Sequence, residues 1–169
     1  MANVKLEDYR AEVKAALNEA TIAWLYETAN EITSNAQRNC QMAKEGDPVG
    51  YQLKGSYANT VDESAGEANI GTPLEAGYWE EYGTGEHAAH GDGRKGWWVY
   101  VKGHQGDGGN TYQTKEEAQG AAAFLRSKGL DAYYTNGRKP NYTLEKAFTT
   151  TLPKAMTALA EKLKGKMGS

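Results

Sequence analysis

Apolar residues recur every three or four positions along the first quarter of the chain, which is the spacing of one face of an α-helix. The pattern extends from Leu6 to Met42, and neither glycine nor proline occurs until Gly46 and Pro48. At 1.5 Å per residue such a helix would be about 55 Å long, which is long for a small domain. We therefore expect it to need contacts along its full length, including contacts with neighbouring subunits.

The middle of the chain has shorter patterns separated by turn residues. The sequence Asp47-Pro-Val-Gly50 is predicted to break the first helix. Two strands are predicted over 56–63 and 67–72, with Ala65-Gly66 as the turn that joins them into a hairpin.

The nine residues from Gly77 to Gly85, GYWEEYGTG, have the length of a strand and mix aromatic with acidic side chains. As a strand, this run would place Tyr78, Glu80 and Tyr82 on one face and Trp79 and Glu81 on the other. Aromatic strands are covered either by the rest of the fold or by another subunit, so we expect the same here.

Residues 94–136 are predicted to form a small α/β segment. Trp97 to Val101 has the composition of a strand, and a second strand is predicted over 130–135. Between them, Thr114 and Glu117 have the spacing of a capping box that begins a helix. A strand, a helix and a strand in this order predict a right-handed βαβ unit.

The last segment, 143–163, is predicted to be a helix because Leu144, Phe148 and Leu152 begin an apolar stripe at helical spacing. Pro153 lies inside this stripe. We expect it to kink the helix or to split it in two.

Composition adds a reason to expect an oligomer. Leu, Ile, Val and Phe supply 22 of the 169 residues, well below the share of roughly 20% that is usual in globular chains. Eleven Tyr and four Trp replace part of the missing apolar area. A single domain with so thin a core is stabilised by burial against other subunits.

Charge is unevenly distributed along the chain, although the formal total is only −3. Residues 51–93 carry one basic and eight acidic side chains, whereas residues 94–169 carry thirteen basic and six acidic ones. The two regions could attract each other within the fold or between neighbours in a ring. Because Lys and Arg form no tight block, a nucleic-acid surface is the less favoured interpretation.

Candidate chemistry is sparse. With Cys40 as the only cysteine, no intrachain disulfide can form, which suits a reducing cytoplasm. His87, His90 and Asp92, with His104 further on, could hold an ion, but they lie in a glycine-rich loop, and polar loop residues are the favoured reading. The glycine motifs lack the features of nucleotide-binding loops.

We accordingly predict no enzyme, no cofactor and no metal-binding residue. The apolar runs are too short to span a membrane, and the first residues lack the apolar region of a signal peptide. A protein that stays in the cytoplasm after synthesis is expected from these features.

The order of several motifs resembles a known family. DPVGYQLKGS at 47–56 precedes the hairpin, Ile70-Gly-Thr leads to YWEEYGTG, and KPNYTLEKAF at 139–148 opens the last helix. This order resembles that of the head–tail joining, or tail-completion, proteins of long-tailed bacteriophages (the gene-product-ten-like family). The likeness covers about residues 5–85 and 137–163. Val49 and Asn141-Tyr142 depart from the family's pattern.

The resemblance implies an α+β fold in one domain, 1–169: a long N-terminal helix packed on a small, mainly antiparallel sheet, with a βαβ insertion at 94–136 and a C-terminal helix. It implies a structural virion protein that forms a homo-oligomeric ring at the neck or tail. Head-completion or connector proteins and tail terminator or tail tube proteins would be its partners, without a membrane and with only incidental DNA contact. It would be found in the virion, and in the host cytoplasm during assembly.

Interface residues are predicted mainly from the aromatic run and its glycine turn. They are Trp24, Tyr78, Trp79, Glu81, Tyr82, Gly83, Thr84, Gly85 and Phe148.

Two other functions stay open. Trp98 to Val101, the alanine-rich helix and Gly129 to Tyr133 look like half of a cell-wall-glycan-binding repeat domain. Alternatively, Trp97, Trp98 and Tyr100 could stack the bases of a nucleic acid. Packing within a sheet explains the same aromatic residues without either function.

Overall fold

The computed structural model describes residues 10–45, 48–102 and 109–167. Its helices and antiparallel sheets confirm the α+β class predicted from the sequence. The chain forms two units: unit 1 runs up to Pro73 and resumes at Thr143, and unit 2 is Leu74–Tyr142. The segment 94–136 lies inside unit 2.

The described residues of unit 1 form four helices and one hairpin. In chain order they are α1 (Arg10–Asn39), α2 (Gln41–Lys44), α3 (Pro48–Ser56), β1 (Ala58–Asp62), β2 (Glu67–Gly71) and, after unit 2, α6 (Thr143–Met167). Unit 2 contains α4 (Ala76–Tyr82), a single 3-10 turn at Gly85–His87, β3 (Trp97–Val101), β4 (Thr111–Tyr112), α5 (Lys115–Ser127) and β5 (Ala132–Thr135).

Helices α1 and α6 pack along each other. Small residues such as Ala29, Ala36 and Ala147 are buried, so the two helices can approach closely. Three polar links join them in the described residues. The indole of Trp24 donates to the carbonyl of Ala155 at 2.7 Å, and the amide of Asn35 donates to the hydroxyl of Thr151 at 2.7 Å. The ammonium of Lys162 donates to the carboxylate of Glu27 at 2.5 Å. The last helix is continuous, so Pro153 does not split it.

The first helix ends earlier than its apolar pattern predicts. It stops at Asn39 because Cys40 leaves the helical conformation, and the four-residue α2 follows. Residues 6–9 of the predicted helix lie outside the described residues. The break lets α3 pack directly on α2: a Cβ added to Gly50 would lie 2.2 Å from the backbone carbon of Met42. The prediction that Asp47–Gly50 breaks the first helix was wrong: α1 has already ended at Asn39, Pro48 begins α3 at a position that proline favours, and Gly50 lies inside α3.

The hairpin is confirmed with slightly shorter strands than predicted. β1 and β2 pair antiparallel from Ala58 opposite Gly71 to Asp62 opposite Glu67. The carboxylate of Asp62 closes the turn by accepting hydrogen bonds from the hydroxyl and backbone N–H of Ser64 and from the backbone N–H of Ala65. The side-chain bond from Ser64, helped by the backbone bond from Ala65, lowers the pKa of Asp62 below its usual range.

In the part of unit 2 that the structure describes, three strands form an antiparallel sheet in the order β4-β3-β5. The prediction of a right-handed βαβ unit was wrong, because β3 pairs antiparallel with β5. Short β4 turns the chain back alongside β3 before the helix begins, so the returning strand runs the opposite way. The predicted capping box of Thr114 and Glu117 is present at the start of α5.

Helix α5 covers one face of this sheet. Ala118 and Ala122 of the helix pack with Val99 and Ala132 of the strands, and Trp97 and Tyr134 border this core. Because side chains alternate along a strand, Trp98, Tyr100 and Tyr133 point to the other face. In the described part of the chain, none of the helices is long and apolar enough to span a bilayer.

Candidate functional site

Helix α4 is the first element of the candidate site. The run from Tyr78 to Tyr82 was predicted to be a strand, and this was wrong, because Ala76–Tyr82 is helical. Gly83 ends the helix: its φ is 74°, and its N–H donates to the carbonyl of Trp79. A glycine in the left-handed region is a common helix ending. Tyr78 and Trp79 are consequently exposed, while Glu80 and Glu81 are buried.

The buried face of α4 is held by the segment that ends unit 2. The side chain of Glu80 has no solvent exposure; it accepts from the amide of Asn141 at 3.1 Å and lies 3.7 Å from the guanidinium of Arg138. The backbone N–H groups of Asn141 and Tyr142 donate to the carbonyls of Glu80 and Glu81. These bonds fix the helix so that its aromatic residues stay outward.

The glycine turn after α4 is closely packed. The hydroxyl of Thr84 accepts from the N–H of Arg138 at 2.9 Å, and the N–H of Thr84 donates to the carbonyl of Arg138 at 2.8 Å. A Cβ added to Gly83 would lie 2.6 Å from that same carbonyl, and one added to Gly85 would lie 2.2 Å from the carbonyl of Asn136. Both glycines also have positive φ, so no other residue fits well at either position.

Between α4 and the uncovered face of the sheet lies an open cleft of about 580 Å³. This volume falls in the range of small-molecule binding sites. Four of its eleven lining residues are aromatic. The cleft is lined by Tyr78, Trp79, Gly83, Thr84, Gly85, Ala88, Asp92, Gly93, Arg94, Trp98 and Tyr100.

Arg94 is the fixed cation of this cleft. Its guanidinium lies 5.1 Å from the centre of the Trp98 ring, a cation–π distance. It also donates to the hydroxyl of Thr111 at 2.8 and 3.0 Å and to the carbonyl of Gly109 at 2.6 Å. With Asp92 nearby, the cleft offers flat aromatic faces together with one cation and one carboxylate. Such a set is suited to stacking and hydrogen bonding.

Tyr133 extends the aromatic surface beyond the cleft on the same face of the sheet. Its ring stacks on Tyr100 with centroids 5.6 Å apart, and both side chains are more than two-fifths exposed. A hydrogen bond to Asp131 and the charge of that carboxylate raise the pKa of the Tyr133 hydroxyl.

The loop that carries His87 and His90 makes aromatic contacts. The ring of His90 lies 4.7 Å from that of Tyr82, and Tyr82 lies 5.0 Å from Tyr78. Among the residues that the structure describes, no three metal-ligating side chains come together. His104 of the hypothetical ion site lies outside the described residues.

Five of the nine predicted interface residues line the cleft: Tyr78, Trp79, Gly83, Thr84 and Gly85. Tyr82 is half-buried beside His90, and Glu81 is buried. Trp24 and Phe148 belong to unit 1. The sequence suggested one stacking face for Trp97, Trp98 and Tyr100; Trp97 instead faces α5.

The prediction of interface residues did not include Asp92, Arg94, Trp98 or Tyr100. Strand alternation places Trp98 and Tyr100 on the same face of the strand, but only the structure shows that α5 leaves this face uncovered. No sequence spacing brings Arg94 onto Trp98, because that contact depends on the course of the intervening loop.

In comparisons with known proteins, the chain matched no protein-family model, no curated protein and no solved structure.

Proposed function

We propose that this chain is a structural virion protein that joins head and tail in a long-tailed bacteriophage, as a ring of identical subunits at the neck or the head-proximal end of the tail. The motif order from residue 47 to 85 and from 139 to 148 supports the family. The α+β fold with a long first helix is the one that this family implies. The role is in assembly, first in the host cytoplasm and then in the virion, with head-connector and tail proteins as partners.

The observation that carries the ring is the poor burial of large apolar residues in unit 1. Its buried side chains are mostly small, such as Ala29, Ala36 and Ala155. By contrast Tyr51 is 61% exposed and Met156 is 55% exposed. Val49 and Leu152 are also exposed. Where such groups form a contiguous patch, another subunit commonly covers them.

A size measurement tests the ring. We expect the purified protein to elute from size-exclusion chromatography as an oligomer whose mass, measured by light scattering, is defined. We also expect purified virions to contain the protein. Tyr51→Glu and Met156→Glu should each weaken the oligomer about tenfold or more, because a charge would be buried at the contact. Thr150→Glu, on another face of α6, is the matched control. A chain that is monomeric at all concentrations and missing from virions contradicts the proposal.

A second candidate function follows from the cleft of unit 2, which favours a carbohydrate ligand such as a cell-wall glycan. Sugar rings have flat C–H faces that stack on tryptophan and tyrosine, and hydroxyl edges that a carboxylate and a guanidinium can bind. A nucleic acid is less favoured: residues 74–142 carry nine acidic and eight basic side chains, which leaves no excess of positive charge.

The second function can be tested by measuring, with calorimetry, how tightly the protein binds soluble peptidoglycan fragments. Trp79→Ala and Tyr100→Ala are each expected to weaken binding about tenfold, through loss of a stacking face. Phe124→Ala is the control: this ring is 61% exposed but lies on α5, away from the cleft. An equal effect of all three substitutions, or no binding by the unaltered chain, contradicts the glycan function.

A further inference from the structure

The hairpin of unit 1 has two open backbone edges. Within the described residues, β1 and β2 form a sheet of two strands. Each strand therefore has one side whose backbone groups pair with no other strand of the described chain. A two-stranded sheet is marginal by itself, and an open edge is a site where another strand can add.

Three of the usual protections of a sheet edge, namely lysine, proline and a bulge, are missing from both strands. Their sequences, ANTVD and EANIG, contain no lysine, arginine or proline. Five consecutive pairs follow one another without a bulge. The only charged residues, Asp62 and Glu67, are at the turn end. Edges exposed to water are normally blocked by such devices, so these two edges are suited to being paired.

Hydrogen bonds to α1 of the same subunit also hold the hairpin in place. The amide of Asn59 donates to Asn30 and Thr33 of α1 at 3.1 and 2.9 Å. At the turn, the hydroxyl of Tyr26 donates to Glu63 at 2.9 Å. Because helix α1 fixes the strands, little conformational entropy remains to be lost when a further strand adds.

We propose that the occupant is the hairpin of a second copy of this chain, with β2 of one subunit pairing with β1 of the next. β1 and β2 are antiparallel, so hairpins set side by side in one orientation keep alternating strand directions. Each subunit then uses one edge toward each neighbour, a head-to-tail contact that can close into a ring. The inference rests on the proposed ring and specifies one of its interfaces.

Side chains at this contact are compatible with close pairing. In level register, Thr60 would meet Asn69 of the next copy, and Ala58 would meet Gly71. Only Asp62 and Glu67 would meet as like charges, and they lie at the exposed turn end, where salt screens them. Small and polar neighbours elsewhere leave room for the backbones to approach.

Charge pairs at Thr60 and Asn69 provide the test. Both side chains lie opposite each other on the exposed face of the hairpin. A variant with Thr60→Lys and Asn69→Lys, and another with Thr60→Glu and Asn69→Glu, should each assemble about tenfold less tightly, because like charges oppose each other across strands. An equimolar mixture should regain assembly, since opposite charges meet at each contact where the two variants alternate.

The matched control combines Thr60→Lys with Asn69→Glu in one chain. Its charges attract both within the hairpin and between subunits, so it should assemble at least as well as the unaltered protein. Circular dichroism and thermal unfolding establish that all variants stay folded. Hydrogen exchange gives an independent readout: amides of 58–62 and 67–71 should exchange more slowly in the assembled protein than in the dissociated one.

The outcomes separate this inference from the proposed function. A ring that forms while the mixture regains nothing and the hairpin amides exchange unchanged overturns the edge pairing and leaves the ring standing. Hairpin protection that appears only with a different virion protein overturns the second copy as occupant. A chain that never assembles and is missing from virions overturns the proposed function itself.

Discussion

Replacing Gly85 with alanine is expected to lower the free energy of unfolding of unit 2 by about 3–5 kcal/mol, as the sum of backbone strain and overpacking. Gly85 has a φ of 61°, in the left-handed region. The new Cβ would lie 2.2 Å from the carbonyl of Asn136 and 2.6 Å from the Trp98 ring. The first contact cannot relax without moving the backbone that carries Asn136, and the second requires the Trp98 ring to shift, so the wall of the cleft should be displaced too.

Urea unfolding followed by tryptophan fluorescence measures this effect, because three of the four tryptophans, all but Trp24, belong to unit 2. Gly129→Ala is the matched control. Gly129 has a φ of 83°, but nothing lies within 4 Å of its added Cβ. Only the backbone strain of about 1–2 kcal/mol should remain. Equal losses for the two substitutions would show that the packing at Gly85 is not the cause.

The long helices could be predicted from the sequence because their apolar residues repeat without interruption. For α1 and α6 the pattern gave the element and most of its length. The stop at Cys40 could not be predicted in the same way, since Cys40 fits the apolar pattern. The break accommodates a tertiary contact, the packing of α3 on α2 at Gly50, and such contacts override local preference.

For α4 the sequence predicted the wrong type of element. Aromatic residues favour strands, and this preference predicted a strand at Tyr78–Tyr82. The helix forms because a helical turn buries the adjacent Glu80 and Glu81 together, whereas a strand would point them to opposite faces. The partners that make this burial possible, Arg138 and Asn141, lie about sixty residues away. Local sequence contains only one trace of the helix, the glycine that ends it.

The candidate cleft was therefore only half predictable. Tyr78, Trp79 and the glycine turn were chosen as a surface from the sequence, for a different geometry. The other wall, Trp98 and Tyr100, depends on which sheet face α5 covers. The strand order β4-β3-β5 depends on a two-residue strand that no periodicity reveals. Local sequence spacing identified some residues of the cleft. It could not identify the residues that reach the cleft only through the course of a loop.

Replacing Glu80 with alanine is the second substitution with a large expected effect, a loss of about 3 kcal/mol in the free energy of unfolding of unit 2. The carboxylate is completely buried, bonds to Asn141 and lies 3.7 Å from Arg138. Its removal leaves both partners without this acceptor and opens a cavity beside α4. Arg138 is partly exposed, so water can compensate part of its charge, which keeps the loss at the lower end for a broken buried pair.

Urea unfolding again supplies the measurement, with two comparison variants. Glu80→Gln keeps the shape and one acceptor oxygen, so its loss should be smaller, about 1–2 kcal/mol. Glu75→Ala, an exposed glutamate just before the same helix, should change stability by no more than about 0.5 kcal/mol. A double-mutant cycle with Arg138→Ala isolates the ion pair, and non-additivity of about 0.5 kcal/mol or more is expected for two groups in contact. If Glu80→Ala instead lowers the free energy of unfolding no more than Glu75→Ala does, the contacts of Glu80 with the 138–142 segment do not stabilise unit 2. In that case the outward placement of Tyr78 and Trp79 depends on the glycine turn alone.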